Sequence, residues 1–308
     1  MKPYLPVSAP VAVPTRPVRR GRRQWLAALG LTPLLQACSP LGLINALVPS
    51  GSHRLIRSLP YGAHERQRMD VYLPKPVVQG APMAVFFYGG SWSSGERADY
   101  KFVGEALAAQ GIVTVVADYR LSPEVRYPVF LQDSADAVKH AMDSAGVWGA
   151  SPQRIFLMGH SAGAYNAAML ALDRRWLQEA GASRDQIAGW IGLAGPYDFL
   201  PIRAPDVQAA FEWPGTPLDS QPLFHALQRD ASAPPRVLLI AARKDTLVNP
   251  ERNTLSLAQA LTERGQSVAV ELFDGVSHAT LIGAMAAPLR GLAPVLDTVR
   301  QFMVIPAS

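Results

Sequence analysis

The sequence contains a single cysteine, Cys38, among 308 residues, so the chain cannot form an internal disulfide. Charged side chains are also scarce: they make up 17% of the residues, against 49% hydrophobic ones. This balance excludes an intrinsically disordered chain, and the composition as a whole excludes a coiled coil, a collagen-like fibre and a disulfide-rich scaffold. What remains is a globular protein that can bury a large hydrophobic core.

Acidic residues are absent from residues 1–37, which hold six basic side chains: Lys2, Arg16, Arg19, Arg20, Arg22 and Arg23. The chain has 29 basic and 24 acidic residues, a formal net charge of +5, so those cations account for the positive balance. Excess positive charge in a folded domain favours nucleic acid or anionic membranes as partners. Because this excess lies in the N-terminal segment, we predict no nucleic-acid partner.

Residues 1–37 also predict export. Arg22 and Arg23 precede a short uncharged apolar stretch, which is the pattern of a twin-arginine signal. The stretch ends in residues 35–38 (Leu-Gln-Ala-Cys), which resemble the lipobox of bacterial lipoproteins, where the cysteine is lipidated and becomes the new N-terminus. We therefore predict a lipoprotein held at the periplasmic face of a membrane through lipid on Cys38.

Two alternatives to lipidation stay open. Residues 25–48 carry no charge over twenty-four positions, and about 20 apolar residues are enough to span a bilayer, so an uncleaved N-terminal anchor is one of them. Pro33 and Pro40 interrupt that stretch. The other alternative is simple cleavage, which would release a soluble periplasmic protein. All three outcomes imply export.

Beyond a linker at residues 38–53, strand and helix patterns alternate along one predicted domain, residues 54–308. Continuous apolar runs such as residues 83–88 (MAVFFY) and 236–241 (RVLLIA) are typical of strands buried on both faces of a parallel sheet. Helical segments separate these runs, which predicts an α/β fold with helices on both faces of a mainly parallel sheet.

The predicted strands are residues 54–61, 67–73, 83–88, 112–117, 154–158, 187–193, 236–241 and 268–273. The predicted helices are residues 99–110, 130–144, 162–180, 251–264 and 289–303. The proline-rich stretch at residues 196–235 is too long for a plain connection, and we interpret it as an insertion that covers the open edge of the sheet and lines a pocket.

The strongest chemical motif is Gly-His-Ser-Ala-Gly at residues 159–163, between a predicted strand and a predicted helix. Ser161 would sit on a strained turn that pushes its hydroxyl outward, and the glycines two residues on either side let the strand and the helix approach closely. The Ala162 N–H, at the start of the helix, would point toward developing negative charge. The motif predicts a nucleophilic serine.

A nucleophilic serine needs a histidine base and an acid that orients the base, in the chain order serine, acid, histidine. His278 follows the last predicted strand and is the histidine in the expected place. Asp245 directly follows the strand at residues 236–241, which makes it the first candidate for the acid. Asp198 and Asp274 remain alternatives.

The third part of such a site is an oxyanion hole. Residues 88–92 (Tyr-Gly-Gly-Ser-Trp) follow the first buried strand, where lipases and esterases place a His-Gly-Gly-Gly type loop. Adjacent glycines let backbone N–H groups converge on one oxygen without a Cβ in the way. Trp92, and Trp213 in the insertion, are candidates for lining the substrate pocket.

Together, these motifs resemble the α/β-hydrolase carboxylesterases. The resemblance covers residues 54–303 and is strongest to small-capped esterases with a His-Gly-Gly-x-Trp loop, such as feruloyl-esterase-like, kynurenine-formamidase-like and prenylcysteine-methylesterase-like enzymes. It also includes residues 68–72 (RMDVY) and 118–121 (DYRL).

The resemblance implies that Gly89, Gly90 and Ser91 join Ala162 as oxyanion donors. The chain departs from the pattern at Tyr88, where the family usually has histidine.

The resulting prediction is an exported serine hydrolase that cleaves small-molecule carboxylic esters through an acyl-enzyme, with no metal and no organic cofactor. Two other hypotheses stay open: an amidase or formamidase with the same three residues, and a non-catalytic binding protein on the same fold. The acyl and alcohol parts of the substrate and the oligomeric state are not specified by the sequence.

Overall fold

The parallel strands of the structure, a computed structural model, end at a common edge, and the predicted site residues follow those ends. Residues 40–228 and 235–304 are described, and they belong to one unit, Cys38–Ser308. The predicted export signal and Cys38 lie outside the described residues.

The described residues form an eight-stranded sheet with the order β1-β2-β4-β3-β5-β6-β7-β8. The strands are β1 His53–Pro60, β2 Arg68–Pro74, β3 Ala81–Phe87, β4 Val113–Ala117, β5 Ala150–His160, β6 Ile187–Leu193, β7 Arg236–Ala242 and β8 Val268–Phe273. β2 runs antiparallel to both β1 and β4, and every pairing from β4 to β8 is parallel. The predicted mainly parallel sheet is confirmed.

Helices cover both faces of the sheet. They are α1 Pro40–Ala46, α2 Lys101–Ala108, α3 Val129–Ser144, α4 Ala162–Leu172, α5 Arg174–Glu179, α6 Pro205–Phe211, α7 Pro222–Leu227, α8 Ser256–Thr262, α9 His278–Gly283 and α10 Val295–Val304. α2 and α10 contact each other, while α3, α4 and α5 form another packed group. Among the described helices, none has both the length and the hydrophobicity needed to cross a bilayer.

The hydrophobic core lies on both faces of the central strands. All seven residues of β3 and all five of β4 are buried, which explains why these segments are continuous apolar runs rather than alternating ones. β8, at the edge of the described sheet, alternates between half-buried and exposed residues over its first four positions, because successive side chains point to opposite faces.

The helix predicted at residues 162–180 is wrong in one respect, since the structure divides it into α4 and α5. The break lies at Asp173, which has an extended backbone and accepts a hydrogen bond from the Arg175 N–H at 3.1 Å. This is an N-cap, and an N-cap starts a new helix because its side chain satisfies a free N–H of the first turn. An aspartate within an apolar helical pattern is therefore the signal for the break.

Other predicted boundaries shift by a few residues. The predicted linker at residues 38–53 contains α1, and the last helix begins at Val295 rather than near residue 289. The predicted helix at 251–264 starts with a π-helical turn, Glu251–Leu255, before α8. The insertion at residues 196–235 carries the short helices α6 and α7.

The turn between β5 and α4 depends on Gly163. A Cβ added there would lie 2.0 Å from the Phe87 carbonyl oxygen, far inside van der Waals contact. We predict that Gly163→Ala lowers the free energy of unfolding by more than about 2 kcal/mol, since backbone must move to admit the methyl group.

Gly146→Ala is the matched control, because a Cβ there meets nothing within 4 Å. It should change the free energy of unfolding by less than about 1 kcal/mol. Urea denaturation of both variants tests this, and equal stabilities would contradict the assigned close approach.

Candidate active site

Ser161 occupies a left-handed turn between β5 and α4. Its backbone angles are φ 55° and ψ −123°, a conformation that costs a non-glycine residue on the order of 1–3 kcal/mol and is found mainly at functional sites. Its N–H donates to the Leu193 carbonyl at 2.9 Å, which fixes the turn to the neighbouring strand β6. The predicted strand–turn–helix setting of the serine is present.

Asp245 and His278 meet at the ends of β7 and β8. The His278 Nδ1 lies 2.7 Å from the Asp245 Oδ2, so this nitrogen donates to the carboxylate. The other oxygen, Oδ1, accepts the N–H groups of Leu247 and Val248, both at 2.9 Å. His278 begins α9, whose N-cap is Ser277. Both partners of the pair are therefore held by local backbone structure.

The Asp245 carboxylate is stabilised in its charged form. Burial alone would raise its pKa, but the hydrogen bond from His278 and the N–H donors of Val248 and Leu247 outweigh burial and lower the pKa below the usual carboxyl value. An ionised Asp245 keeps the proton of His278 on Nδ1, which leaves Nε2 as the acceptor nitrogen.

The two alternative acids have other partners. Asp198 accepts from Arg252 Nε at 2.9 Å, and its own N–H donates to the Asn253 side chain. Asp274 is exposed and faces Arg243 at 3.3 Å. The structure therefore pairs Asp245, and neither Asp198 nor Asp274, with the His278 ring.

The glycine loop after β3 lies directly against the serine. A Cβ added at Gly89 would be 2.9 Å from the Ser161 Cβ, so only a glycine allows this approach. Gly90, Ser91 and Trp92 all have positive φ. The Gly90 carbonyl accepts the N–H groups of the residues at 93 and 94 at 3.0 Å, and the Ser91 N–H of the same planar peptide must point the opposite way.

The predicted oxyanion residues come from two segments. Gly89, Gly90 and Ser91 follow β3 in the glycine loop, which approaches Ser161 closely at Gly89. Ala162 is buried at the start of α4.

Tyr88, the residue that departs from the esterase pattern, is a hydrogen-bond centre. Its hydroxyl donates to Asp118 Oδ1 at 2.9 Å and accepts from Arg66 Nη2 at 2.8 Å, while its carbonyl accepts the Tyr119 hydroxyl at 2.8 Å. Arg66 also donates to the Gly95 carbonyl at 2.9 Å. Arg66 therefore links Tyr88, at the start of the glycine loop, to Gly95 at its end.

A cavity of about 190 Å³ opens beside the serine. The residues that line it come from the glycine loop, the turn, the insertion and the segment after Asp245; they are Ser91, Trp92, Ser161, Ala162, Pro196, Phe199, Ile202, Arg203, Ala204, Val207, Leu247 and Val248. The insertion therefore lines a pocket, as predicted.

Of the two predicted pocket tryptophans, Trp92 lines the cavity, and its Nε1 donates to Asn166 Oδ1 at 3.0 Å. Trp213 is half-buried and packs against the hydrophobic core, and the cavity beside Ser161 is lined by other residues of the insertion. The aromatic side chains that the insertion places beside Trp92 are Phe199 and Phe211, at ring distances of 5.8 and 4.8 Å.

The site contains a second histidine that the sequence analysis did not assign. His160 is buried next to His278, with ring centroids 4.9 Å apart, and its Nε2–H donates to the His278 carbonyl at 3.0 Å. Its Nδ1 is buried without a hydrogen-bond partner among the described residues. The position of His160 next to Ser161 in the sequence indicates that it lies near the site. Its contact with His278 depends on where the fold places β8 and α9.

Burial and the nearby His278 lower the pKa of His160 to about 3. The unfolded chain binds a proton at this ring near pH 6.5, so the contribution of neutral His160 to folding is complete above that pH. As the pH falls from 6.5 toward 3, the free energy of unfolding should drop by up to about 1.4 kcal/mol per pH unit.

We predict that His160→Gln, which keeps an N–H donor, flattens this slope between pH 6.5 and pH 4. The measurement is urea denaturation at several pH values. His140→Gln, in α3, controls for the loss of an imidazole away from the site. If wild type and His160→Gln have the same pH dependence, neutral burial of His160 is contradicted.

Comparison with known proteins places this site in a family. Residues 69–261 match the BD-FAE family, which is more than half of the chain. A probable isoprenylcysteine alpha-carbonyl methylesterase of Arabidopsis thaliana is 28% identical over 258 residues, covering 76% of this chain and 52% of that protein. Kynurenine formamidase of Salmo salar is 30% identical over 152 residues, covering 49% of each.

The fold is shared with solved esterase structures. Esterase B from Lactobacillus rhamnosis superposes with a TM-score of 0.71 at 18% identity, covering 87% of this chain and 92% of that one. The chain spans about half the length of the two curated relatives. The α/β-hydrolase fold is thereby confirmed, and the match over residues 69–261 shows that the chain belongs to the BD-FAE family.

Proposed function

We propose that the protein is a serine hydrolase that cleaves small-molecule carboxylic esters, with Ser161 as nucleophile, His278 as base and Asp245 as the orienting acid. The observation that carries the proposal is the 2.7 Å contact between His278 Nδ1 and Asp245 Oδ2, at the same sheet edge as the strained Ser161 turn. A binding protein without catalysis has no need for a buried carboxylate aimed at a histidine ring or for strain at a serine.

The reaction begins with proton transfer from the Ser161 hydroxyl to His278 Nε2 while the serine oxygen attacks the ester carbonyl. The imidazolium that forms is stabilised by ionised Asp245. His278 then gives the proton to the leaving alcohol, and the acyl group remains on Ser161. Water attacks the acyl-enzyme with His278 again as base, which releases the acid and restores the serine.

The tetrahedral intermediates carry negative charge on the former carbonyl oxygen. The N–H groups of Gly89, Gly90, Ser91 and Ala162 are the proposed donors, and the close approach of the loop to Ser161 supports this role. A single oxyanion donor contributes a factor of about 10²–10³ in kcat, so a displaced loop would lower kcat by about that factor for each donor it moves.

The cavity supports a small substrate. Its volume of about 190 Å³ and its apolar side chains, such as Phe199, Ile202 and Val207, suit a compact acyl or aryl group. The methylesterase relatives favour an ester, and the kynurenine formamidase relative supports a formamide as the second candidate. Rates with p-nitrophenyl esters of increasing chain length and with an aryl formamide separate the two.

The assignment of the three residues predicts a graded loss of activity. Ser161→Ala should lower kcat by about 10⁶ and Asp245→Asn by about 10⁴, since the acid only orients and stabilises the base. Asp198→Asn and Asp274→Asn serve as matched controls. Their kcat should stay within about tenfold of the wild-type value, or about 1.4 kcal/mol in the barrier, because each of these carboxylates pairs with an arginine rather than with His278.

Hydrolysis of a short p-nitrophenyl ester measures all four variants. A collapse at Asp198→Asn with activity retained at Asp245→Asn would overturn the choice of acid. If the wild-type protein cleaves no ester, formamide or amide, the binding-protein hypothesis replaces the hydrolase.

We also propose that the protein is exported as a lipoprotein attached through Cys38, since the lipobox-like sequence and the lone cysteine support it. A single acyl chain gives only marginal attachment, so several chains are needed. After a high-salt wash, which screens electrostatic attachment to the bilayer, processed Cys38→Ala protein should leave the membrane fraction while the wild type stays there. A processed Cys38→Ala protein that stays in the membrane fraction after that wash would show that lipid on Cys38 is not the anchor.

A further inference from the structure

The first helix has an inner and an outer side. Ile44 and Val48 are partly buried and pack against the core, whereas Leu43 and Leu47 are 60% and 57% exposed. Leu47 follows the end of α1, and its N–H donates to the Ile44 carbonyl at 3.1 Å, so the chain makes one more helical turn there. The two leucines are four residues apart across this turn and form one apolar strip. Asn45 donates to the Asp99 carbonyl at 2.7 Å and so holds α1 to the start of α2. The strip is therefore displayed on a fixed support.

A cavity of about 300 Å³ lies between β1, β2, the start of α2 and the end of α1, where Val48, the residue after Leu47, lines it. The residues that line it are Asn45, Val48, Pro49, Ser50, His53, Leu55, Arg57, Tyr72 and Lys101. None of these is acidic. Neither Arg57 nor Lys101 has an ion-pair partner among the described residues. Two free cations at one cavity favour an anionic ligand.

The Tyr72 side chain adds a second sign of a ligand site. The residue is 1% exposed, and its hydroxyl has no hydrogen-bond partner among the described residues. A buried hydroxyl without a partner costs free energy, and a ligand that supplies the partner offsets this cost. Glu105 lies near the lining residue His53, accepts from Ser52 and faces Arg290 at 3.4 Å, so an arginine outside the cavity shares its charge.

We propose that this surface, formed by Leu43, Leu47, Arg57, Lys101 and the cavity, docks the folded domain on an anionic phospholipid bilayer. A soluble anion would account for the cations but not for two exposed leucines beside them. In a bilayer, the lipid phosphates occupy the cavity and the leucines enter the interface. The role is separate from the proposed esterase site, which lies at the carboxyl ends of the parallel strands.

The position of the surface in the chain fits this orientation. Leu43 is five residues after Cys38, and five extended residues span at most about 18 Å. A lipid on Cys38 would therefore keep the surface next to the bilayer. The docking surface does not require that lipid, since it has its own cations and apolar side chains.

The test uses the full chain with Cys38→Ala, which removes the only cysteine and so permits a single fluorescent label. Leu43→Cys carries an environment-sensitive nitrobenzoxadiazole label, and vesicles contain equal parts phosphatidylglycerol and phosphatidylcholine. We expect a blue shift and brighter emission with these vesicles and little change with pure phosphatidylcholine. The same label at Leu218→Cys, an exposed leucine of the insertion, should not respond.

Arg57→Gln combined with Lys101→Gln should raise the lipid concentration for half-maximal response on the order of 20-fold, since each cation near an anionic surface strengthens binding about fivefold. The basic residues at positions 1–37 are common to all variants, so this difference reports the docking surface. Hydrolysis of a soluble p-nitrophenyl ester should stay at its Cys38→Ala level and serves as a check of folding. If the protein cleaves no ester, circular dichroism serves as the check of folding instead. The vesicle result does not depend on the esterase proposal.

Two outcomes overturn the proposal. The first is the same fluorescence response of the label at Leu43→Cys to anionic vesicles whether Arg57 and Lys101 are present or both are replaced by glutamine. The second is stabilisation by inorganic phosphate that depends on Arg57 and Lys101 together with no response to anionic vesicles, which would assign the cavity to a soluble anion.

Discussion

The close approach of β5, α4 and the glycine loop at Ser161 is the constraint on which the site depends. The serine turn has a left-handed backbone, and its strain is tolerated because the surrounding backbone leaves no room for another path. Gly163 packs on the carbonyl of Phe87, and Gly89 packs on the serine itself. One contact region therefore fixes the nucleophile relative to the donors that would stabilise its oxyanion, so that little reorganisation is needed during reaction.

Charge and hydrogen bonding around this region are arranged in two separate groups. Asp245 holds His278 from one side, and His160 holds the His278 carbonyl from another, while remaining neutral itself. On the other side of the serine, Tyr88 connects the glycine loop to a buried cluster of Asp118 and arginines. Tyr88 is held at the start of the loop by its hydroxyl, by its carbonyl and by the stacking of its ring on Tyr119. Positioning residues thus outnumber the three that would carry out the chemistry.

The strands and the Asp245–His278 pairing could be predicted from the sequence because each depends on local signals. Buried parallel strands are apolar runs, and the residues that follow them must meet at one edge of the sheet. Features that depend on packing between distant segments could not be predicted from local sequence signals. Trp213 and Phe211 have similar local surroundings in the insertion, yet the Phe211 ring meets Trp92 edge to face, while Trp213 packs elsewhere against the core. The contact between His160 and His278, 118 residues apart, arises only from the tertiary fold. By contrast, the N-cap at Asp173 was a local signal, outweighed by the apolar pattern around it.

The most direct test of a nucleophilic Ser161 is reaction of the wild-type protein and His278→Ala with a fluorophosphonate, followed by peptide mass spectrometry. A serine activated by His278 should carry one phosphonyl adduct, on the peptide that contains Ser161, and His278→Ala should show none over the same time. An adduct on a different residue, or equal labelling of Ser161 in both proteins, would contradict the proposed mechanism.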